Sequence, residues 1–195
     1  MSTATNRPVN RKIVLVNHVT GQVSPEHFRL EEELAREPGD GEVMVPTDTI
    51  SIDALIRTSL NDWEGLHTQV PVGGTIGCLA VGRVVESNAK GWEEGEAVSG
   101  PLGAQTFATV PTGMLQKVDD SLPLSTYLGA LGLTTGLTAY FGIRHVGQVK
   151  EGETVLVSGA AGAVGSIVGQ IAKIDGARVI GIAGGPEKVK FLTDT

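Results

Sequence analysis

From Lys12 to about Val118 the chain alternates short apolar runs with turn residues. Runs of β character lie at Lys12–Asn17, Gly41–Ile52, Thr75–Glu86, Ala97–Ser99, Thr106–Val110 and Gln116–Val118. Between them fall Glu37-Pro38-Gly39-Asp40-Gly41, Val72-Gly73-Gly74, Asn88-Ala89-Lys90-Gly91 and Pro101-Leu102-Gly103, whose Gly, Pro, Asn and Asp suit turns. Many short strands at this spacing predict a small barrel. From Leu122 to Val146 the pattern turns helical, with Ser125 as a cap ahead of Leu128, Leu131 and Leu133, and Leu137-Thr138-Ala139-Tyr140-Phe141 following.

The pattern changes again at Val155-Leu156-Val157-Ser158, an apolar strand that runs into Gly159-Ala160-Ala161-Gly162-Ala163-Val164-Gly165. Val164, Ile167, Val168, Ile171 and Ala172 then recur at helical spacing. Gly176 ends that helix, and Ala177–Ala183 forms a second strand of small and β-branched residues, as in buried parallel strands. Strand, glycine turn, helix and strand make a βαβ unit of about 30 residues, the size of a mononucleotide-binding half. A dinucleotide pyrophosphate needs this arrangement: small residues admit the phosphates, and the N–H groups of the helix N-terminus face their charge. The spacing Gly-x-x-Gly-x-x-Gly departs from Gly-x-Gly-x-x-Gly, and a tight helix–strand packing turn that binds nothing is the alternative reading. No Gly-Lys-Ser/Thr follows, which disfavours a nucleotide triphosphatase loop.

The second strand ends in Ala183-Gly184-Gly185-Pro186-Glu187-Lys188. NAD-preferring sites place an acid there, roughly 20 residues past the turn, to hold the ribose hydroxyl. Here glycines leave space, and Lys188 brings a charge that attracts a 2′-phosphate, which favours NADP. Glu187 stands 22 residues beyond Gly165 and can be read as the NAD-type acid. Its other reading, a first-turn acid behind Pro186 at the first helical position, fits helix chemistry better. Lys188 has an alternative too, as an ordinary solvated lysine.

The 195 residues carry a net charge of −7, which argues against nucleic-acid and anionic-membrane surfaces. The single Cys78 permits no internal disulfide and fits a reducing, cytoplasmic setting. It reads as a buried small residue. No run approaches the roughly 18 apolar residues of a membrane span. One cysteine and the scattered His18, His27, His67 and His145 do not supply a zinc site, and no Gly-x-Ser-x-Gly elbow points to a serine hydrolase. Neither Tyr127 nor Tyr140 stands out as a proton donor, so no catalytic residue is assigned.

Several stretches together resemble the zinc-independent medium-chain dehydrogenase/reductase superfamily, in particular its prostaglandin, 2-alkenal and curcumin reductase group. They include Gly82-Arg83-Val84-Val85-Glu86-Ser87, Gly136-Leu137-Thr138-Ala139-Tyr140-Phe141-Gly142 and Glu151–Ser158. The most specific is Ala160-Ala161-Gly162-Ala163-Val164-Gly165-Ser166 with Gly169-Gln170-Ile171-Ala172-Lys173 behind it. The resemblance implies an α/β protein: a GroES-like β-barrel domain over residues 11–125 after a flexible tail at 1–10, then a helical connection and the first part of a doubly wound Rossmann domain over 126–195. It implies NADPH-dependent reduction of the carbon–carbon double bond of an enone or enal. Carried over by position, Gly162, Ala163, Val164 and Gly165 hold the pyrophosphate, Lys188 meets the 2′-phosphate, and Thr138 lies near the nicotinamide or simply packs its helix. A small-molecule enone, enal or quinone is the implied substrate, and a homodimer the implied assembly of the full-length form.

Two departures stand out. Asp53-Ala54-Leu55-Ile56-Arg57 replaces the family's Asp-Pro-Tyr-Met-Arg, so Leu55 stands where a pocket-lining phenol is usual. The chain also stops at Thr195, inside the helix after the second Rossmann strand, where family members continue for more strands. This leaves the first strand with a bare apolar edge and keeps a quinone reductase, or a non-catalytic product folding only its barrel, as alternatives.

Overall fold

A computed structural model describes residues 7–62 and 68–194. The chain divides into two compact units, Met1–Ser125 and Thr126–Thr195. In the first, β1 (Val9–Leu15) pairs antiparallel with β2 (Phe28–Leu34) from Val9↔Leu34 to Leu15↔Phe28. A six-stranded antiparallel sheet follows, built from β3 (Glu42–Ile50), β4 (Ala80–Arg83), β5 (Glu86–Ser87), β6 (Ala97–Gly100), β7 (Phe107–Pro111) and β8 (Gln116–Lys117). β3 is its hub, bonded to β4, β5 and β7. Inside lie Val43, Val45, Ala80, Val84, Val98, Leu102 and Ala108. Leu15, Val19, Leu60, Val70 and Ile76 form a second cluster beside α1 (Ala54–Ser59). A β-carbon at Gly82 would stand 2.2 Å from the Pro46 carbonyl oxygen, so β4 reaches β3 only because that residue is glycine.

Three features differ from the sequence expectation, each through contacts distant in the chain. The flexible tail assigned to residues 1–10 does not hold at its end: Val9 and Asn10 belong to β1, while residues 1–6 lie outside the described residues. Asn10 is buried, its Nδ2 donating to Gln105 Oε1 at 2.9 Å and its Oδ1 accepting from the Phe107 N–H at 3.0 Å. β2 escapes the pattern because Glu31-Glu32-Glu33 breaks the alternation. Its ladder to β1 and the pairs Arg11–Glu32 and Lys12–Glu33 hold it in place. The run Thr75–Glu86 is not one strand. Thr75 makes an isolated bridge to Val14, residues 80–83 pair with β3 and β6, and at Val84–Val85 the backbone switches partners, bonding Glu96 and then Met44.

In the second unit α2 (Gly136–Tyr140) continues into a π turn, Phe141–Val146. β9 (Thr154–Ser158), α3 (Ala163–Ile174), β10 (Arg178–Ile182) and α4 (Pro186–Asp194) follow. β9 and β10 pair in parallel, register Thr154↔Arg178 to Ser158↔Ile182. Ile143, Ala172 and Ala177 are the buried centre, covered by Val155, Val168, Ile171 and Val179. Among the described residues β9 has no strand on its other edge, and Leu156 is 64% exposed. The helical stretch expected over Leu122–Val146 is broken into short pieces. A β-carbon at Gly136 would overlap the Ala130 carbonyl at 1.8 Å, so the chain folds tightly back there. Among the described residues no helix is long and apolar enough to cross a membrane.

Candidate functional site

The site is built where β9 delivers the chain to the glycine turn. Gly159 takes φ +57°, a left-handed conformation open to glycine, and its carbonyl accepts the Gly162 N–H at 2.8 Å. The neighbouring Ala160 N–H bonds the Ile182 carbonyl at 3.0 Å, tying the turn to the end of β10. Gly162 is the N-cap of α3 and has no side chain to cap it. The Ser166 N–H is the first to reach back into the helix, to the Gly162 carbonyl at 2.9 Å. The N–H groups of Ala163, Val164 and Gly165 therefore lack intrahelical partners and point out of the helix start. With the helix dipole they form a surface suited to a phosphate.

Glycine at 165 is required by the turn itself. A β-carbon there would lie 2.4 Å from the Gly159 carbonyl oxygen and 2.9 Å from Ala160 Cα. At Gly162 the distance to the same oxygen would be 3.0 Å. Gly162 and Ala163 are exposed, and Val164 and Gly165 are half-buried. A hollow of about 500 Å³ lies against this turn, bordered by β9, Gly142, Ile143, Val164 and Val168. The far end of α3 is pinned. Arg144 of the π turn holds its C-capping residue Asp175 through two bonds of 2.6 and 2.9 Å. That guanidinium keeps the Asp175 carboxyl below its ordinary range, and the carboxylate in turn raises Arg144.

The remaining sequence-predicted residues fall on the flanking helices. Gly184 and Gly185 separate β10 from α4, and Pro186 and Glu187 lie in its first turn. Lys188 is exposed and has no ion-pair partner among the described residues. Thr138 is exposed on α2, whose buried side is Gly136 and Ala139, and α2 packs on α3. Tyr140 meets Phe141 edge-on and His145 at a tilt, and lies under Arg144.

In the first unit, His18 bonds the Val70 carbonyl, His27 sits within its own turn at Ser24, and His67 lies outside the described residues. Among the described residues no group of three His, Cys, Asp or Glu gathers. Cys78 is free and buried, its thiol pushed up to about 11 by burial and then by the charge of Asp53. The sequence reading left unmarked the cavity this thiol lines beside α1. Only Leu55, noted as a replacement, pointed there.

Residues 11–118 match a family described as the N-terminal domain of oxidoreductase. The NADPH-dependent curcumin reductase of Escherichia coli is 40% identical over 186 residues, covering 95% of this chain and 54% of that protein. The NADP(+)-dependent 2-alkenal reductase of Nicotiana tabacum is 36% identical, covering 94% and 55%. The crystal structure of CurA from Vibrio vulnificus in complex with NADPH superposes with a TM-score of 0.87 at 37% identity, covering 95% of this chain and 55% of the other. The chain thus spans about half the length of the curated relatives it matches.

Proposed function

Since the chain belongs to the oxidoreductase family whose N-terminal domain covers residues 11–118, we propose that it is part of a zinc-independent, NADPH-dependent reductase of α,β-unsaturated ketones or aldehydes. The observation carrying this reading is the start of α3. Three unpartnered N–H groups open onto exposed glycine and alanine, behind a strand–turn–helix–strand unit. No side chain caps that helix end, which leaves its N–H groups to a pyrophosphate. Relatives named for NADPH and for curcumin or alkenal reduction support the same chemistry.

In this reading the amides of Ala163, Val164 and Gly165 hold the pyrophosphate, with Gly162 keeping their approach clear. Gly184 and Gly185 leave room beyond β10, and the Lys188 ammonium attracts a 2′-phosphate that a carboxylate there would repel. Thr138 lies at the nicotinamide end. When bound, the dihydronicotinamide supplies the hydride added to the β-carbon of the conjugated double bond. The chain binds, orients and keeps water away.

Titration of NADPH and of NADH against protein fluorescence tests the cofactor. NADPH is expected to bind about tenfold tighter or more, ~1.4 kcal/mol. Tighter NADH binding would overturn the assignment and return Glu187 to the role of ribose-binding acid.

A further inference from the structure

The π turn Phe141–Val146 ends with the Gly147 N–H donating to the Gly142 carbonyl, five residues back, at 2.8 Å. Such turns are rare and recur at functional sites, and Gly142, Ile143 and Val146 are weak helix formers. Two contacts hold this one to α3. Ile143 is buried against Ala172 and Ala177. Arg144 grips Asp175 through Nε at 2.9 Å and Nη2 at 2.6 Å. The Tyr140 ring lies under the same guanidinium, whose carbon is 5.2 Å from the ring centre.

α3 does not need the Asp175 carboxylate for its own ending. The Gly176 N–H bonds the Lys173 carbonyl at 3.1 Å, and the Ala177 N–H bonds the Ala172 carbonyl at 2.9 Å. With Gly176 at φ +82° this is a complete glycine cap made of backbone alone. A carboxylate at a helix C-terminus also faces the negative end of the dipole. What accounts for it is Arg144, whose planar fork meets both carboxylate oxygens.

The π turn also borders the nucleotide site. Gly142 and Ile143 line the same hollow of about 500 Å³ as Gly159, Gly162, Val164 and Gly165. Arg144 follows them directly and ties this border to the far end of α3, whose near end carries the phosphate amides. We propose that Arg144 and Asp175 are a positioning pair: they hold the π turn against α3 and so set the space left for the part of the nucleotide beyond the phosphates. That this part is a dihydronicotinamide rests on the reductase reading; the anchoring does not.

Hydrogen exchange of the intact chain without nucleotide tests the anchoring. Arg144→Gln should speed exchange of the amides over 142–149 about fivefold and leave those over 166–172 within about twofold. Asp175→Asn should give the same pattern even if Arg144→Gln folds poorly. The reversed pair, Arg144→Asp with Asp175→Arg, should restore protection, since a cation suits a helix C-terminus. Nucleotide binding then separates positioning from stability. The probe 2′,5′-ADP, which on this reading reaches only the α3 amides and Lys188, should keep its Kd within about twofold in Arg144→Gln, whereas NADPH should weaken about tenfold. NADPH should also lose the emission gained by its dihydronicotinamide on binding, and the reversed pair should return both signals.

Exchange that rises equally along α3 or not at all, equal loss of both nucleotides, or unchanged NADPH binding would each overturn the proposal. If the exchange pattern appears but the unmutated chain binds neither nucleotide, the reductase reading falls, the nucleotide part of the proposal falls with it, and the anchoring stands.

Discussion

Lys188 lies in the first turn of α4 and has no ion-pair partner among the described residues, and the ordinary reading of an exposed lysine is solvation. Under the proposed function, its position just past the glycines that end β10 makes it the partner of a 2′-phosphate. Lys188→Ala should weaken NADPH about tenfold, ~1.4 kcal/mol, and leave NADH unchanged, because only the 2′-phosphate loses a charged partner. Isothermal titration with both nucleotides decides it, and an equal loss for NADH would make the lysine a general electrostatic contributor. Such residues are readable in sequence because a turn and the helix after it are local. Asn10 is the contrary case. A polar residue near the chain start reads as tail, and only Gln105 and Phe107, about 95 positions away, turn it into a buried hydrogen-bonding hub.

At the scale of elements, the junction of β9 and α3 is held by absence of side chains. Gly165→Ala would press a methyl into the Gly159 carbonyl, 2.4 Å away, and backbone there cannot yield without moving the helix start. The substitution should destabilise the second unit by about 1–3 kcal/mol and abolish nucleotide binding, seen as a lower thermal midpoint and a flat NADPH titration. An unchanged midpoint would mean the turn is looser than described. The βαβ unit was legible because its period changes, from apolar strand to glycines to a 3.6-residue repeat, are strong and contiguous. The stretch before it was less so. Its apolar spacing predicts continuous helix, but glycines at 132 and 136 let backbone approach backbone, and the chain becomes short turns and a π segment. β2 shows the same limit: three consecutive glutamates carry no strand signal, and the ladder from β1 imposes one.

Across the whole molecule the ion pairs predict its response to acid. The Arg36 guanidinium, and then the Gly39 N–H, hold the Glu42 carboxyl down at about 2. Arg144 holds Asp175 below its ordinary value in the other unit. Unfolded carboxyls titrate near 4, so the unfolded chain takes up these protons first. Stability from both pairs is therefore complete above about pH 5 and falls as pH drops through 4 toward 2. Urea midpoints should be level between pH 7 and 5 and decline below 4. Glu42→Gln and Asp175→Asn should each flatten the decline. A loss already present between pH 7 and 5 would point to other groups.

By itself the sequence determined what depends on neighbours in the chain: the order of a strand-rich half and a βαβ half, the glycine turn, the start of α3, and Lys188 just beyond β10. Only the tertiary structure decided where β2 pairs, where the run from Thr75 breaks, what buries Asn10, and that Asp53, Leu55 and Cys78 share one cavity. The physical reason is range. Helix starts and glycine turns are chosen by dihedral freedom and spacing over a few residues, whereas ladders, cavities and buried polar partners join positions tens of residues apart, and no local pattern records which of them will meet.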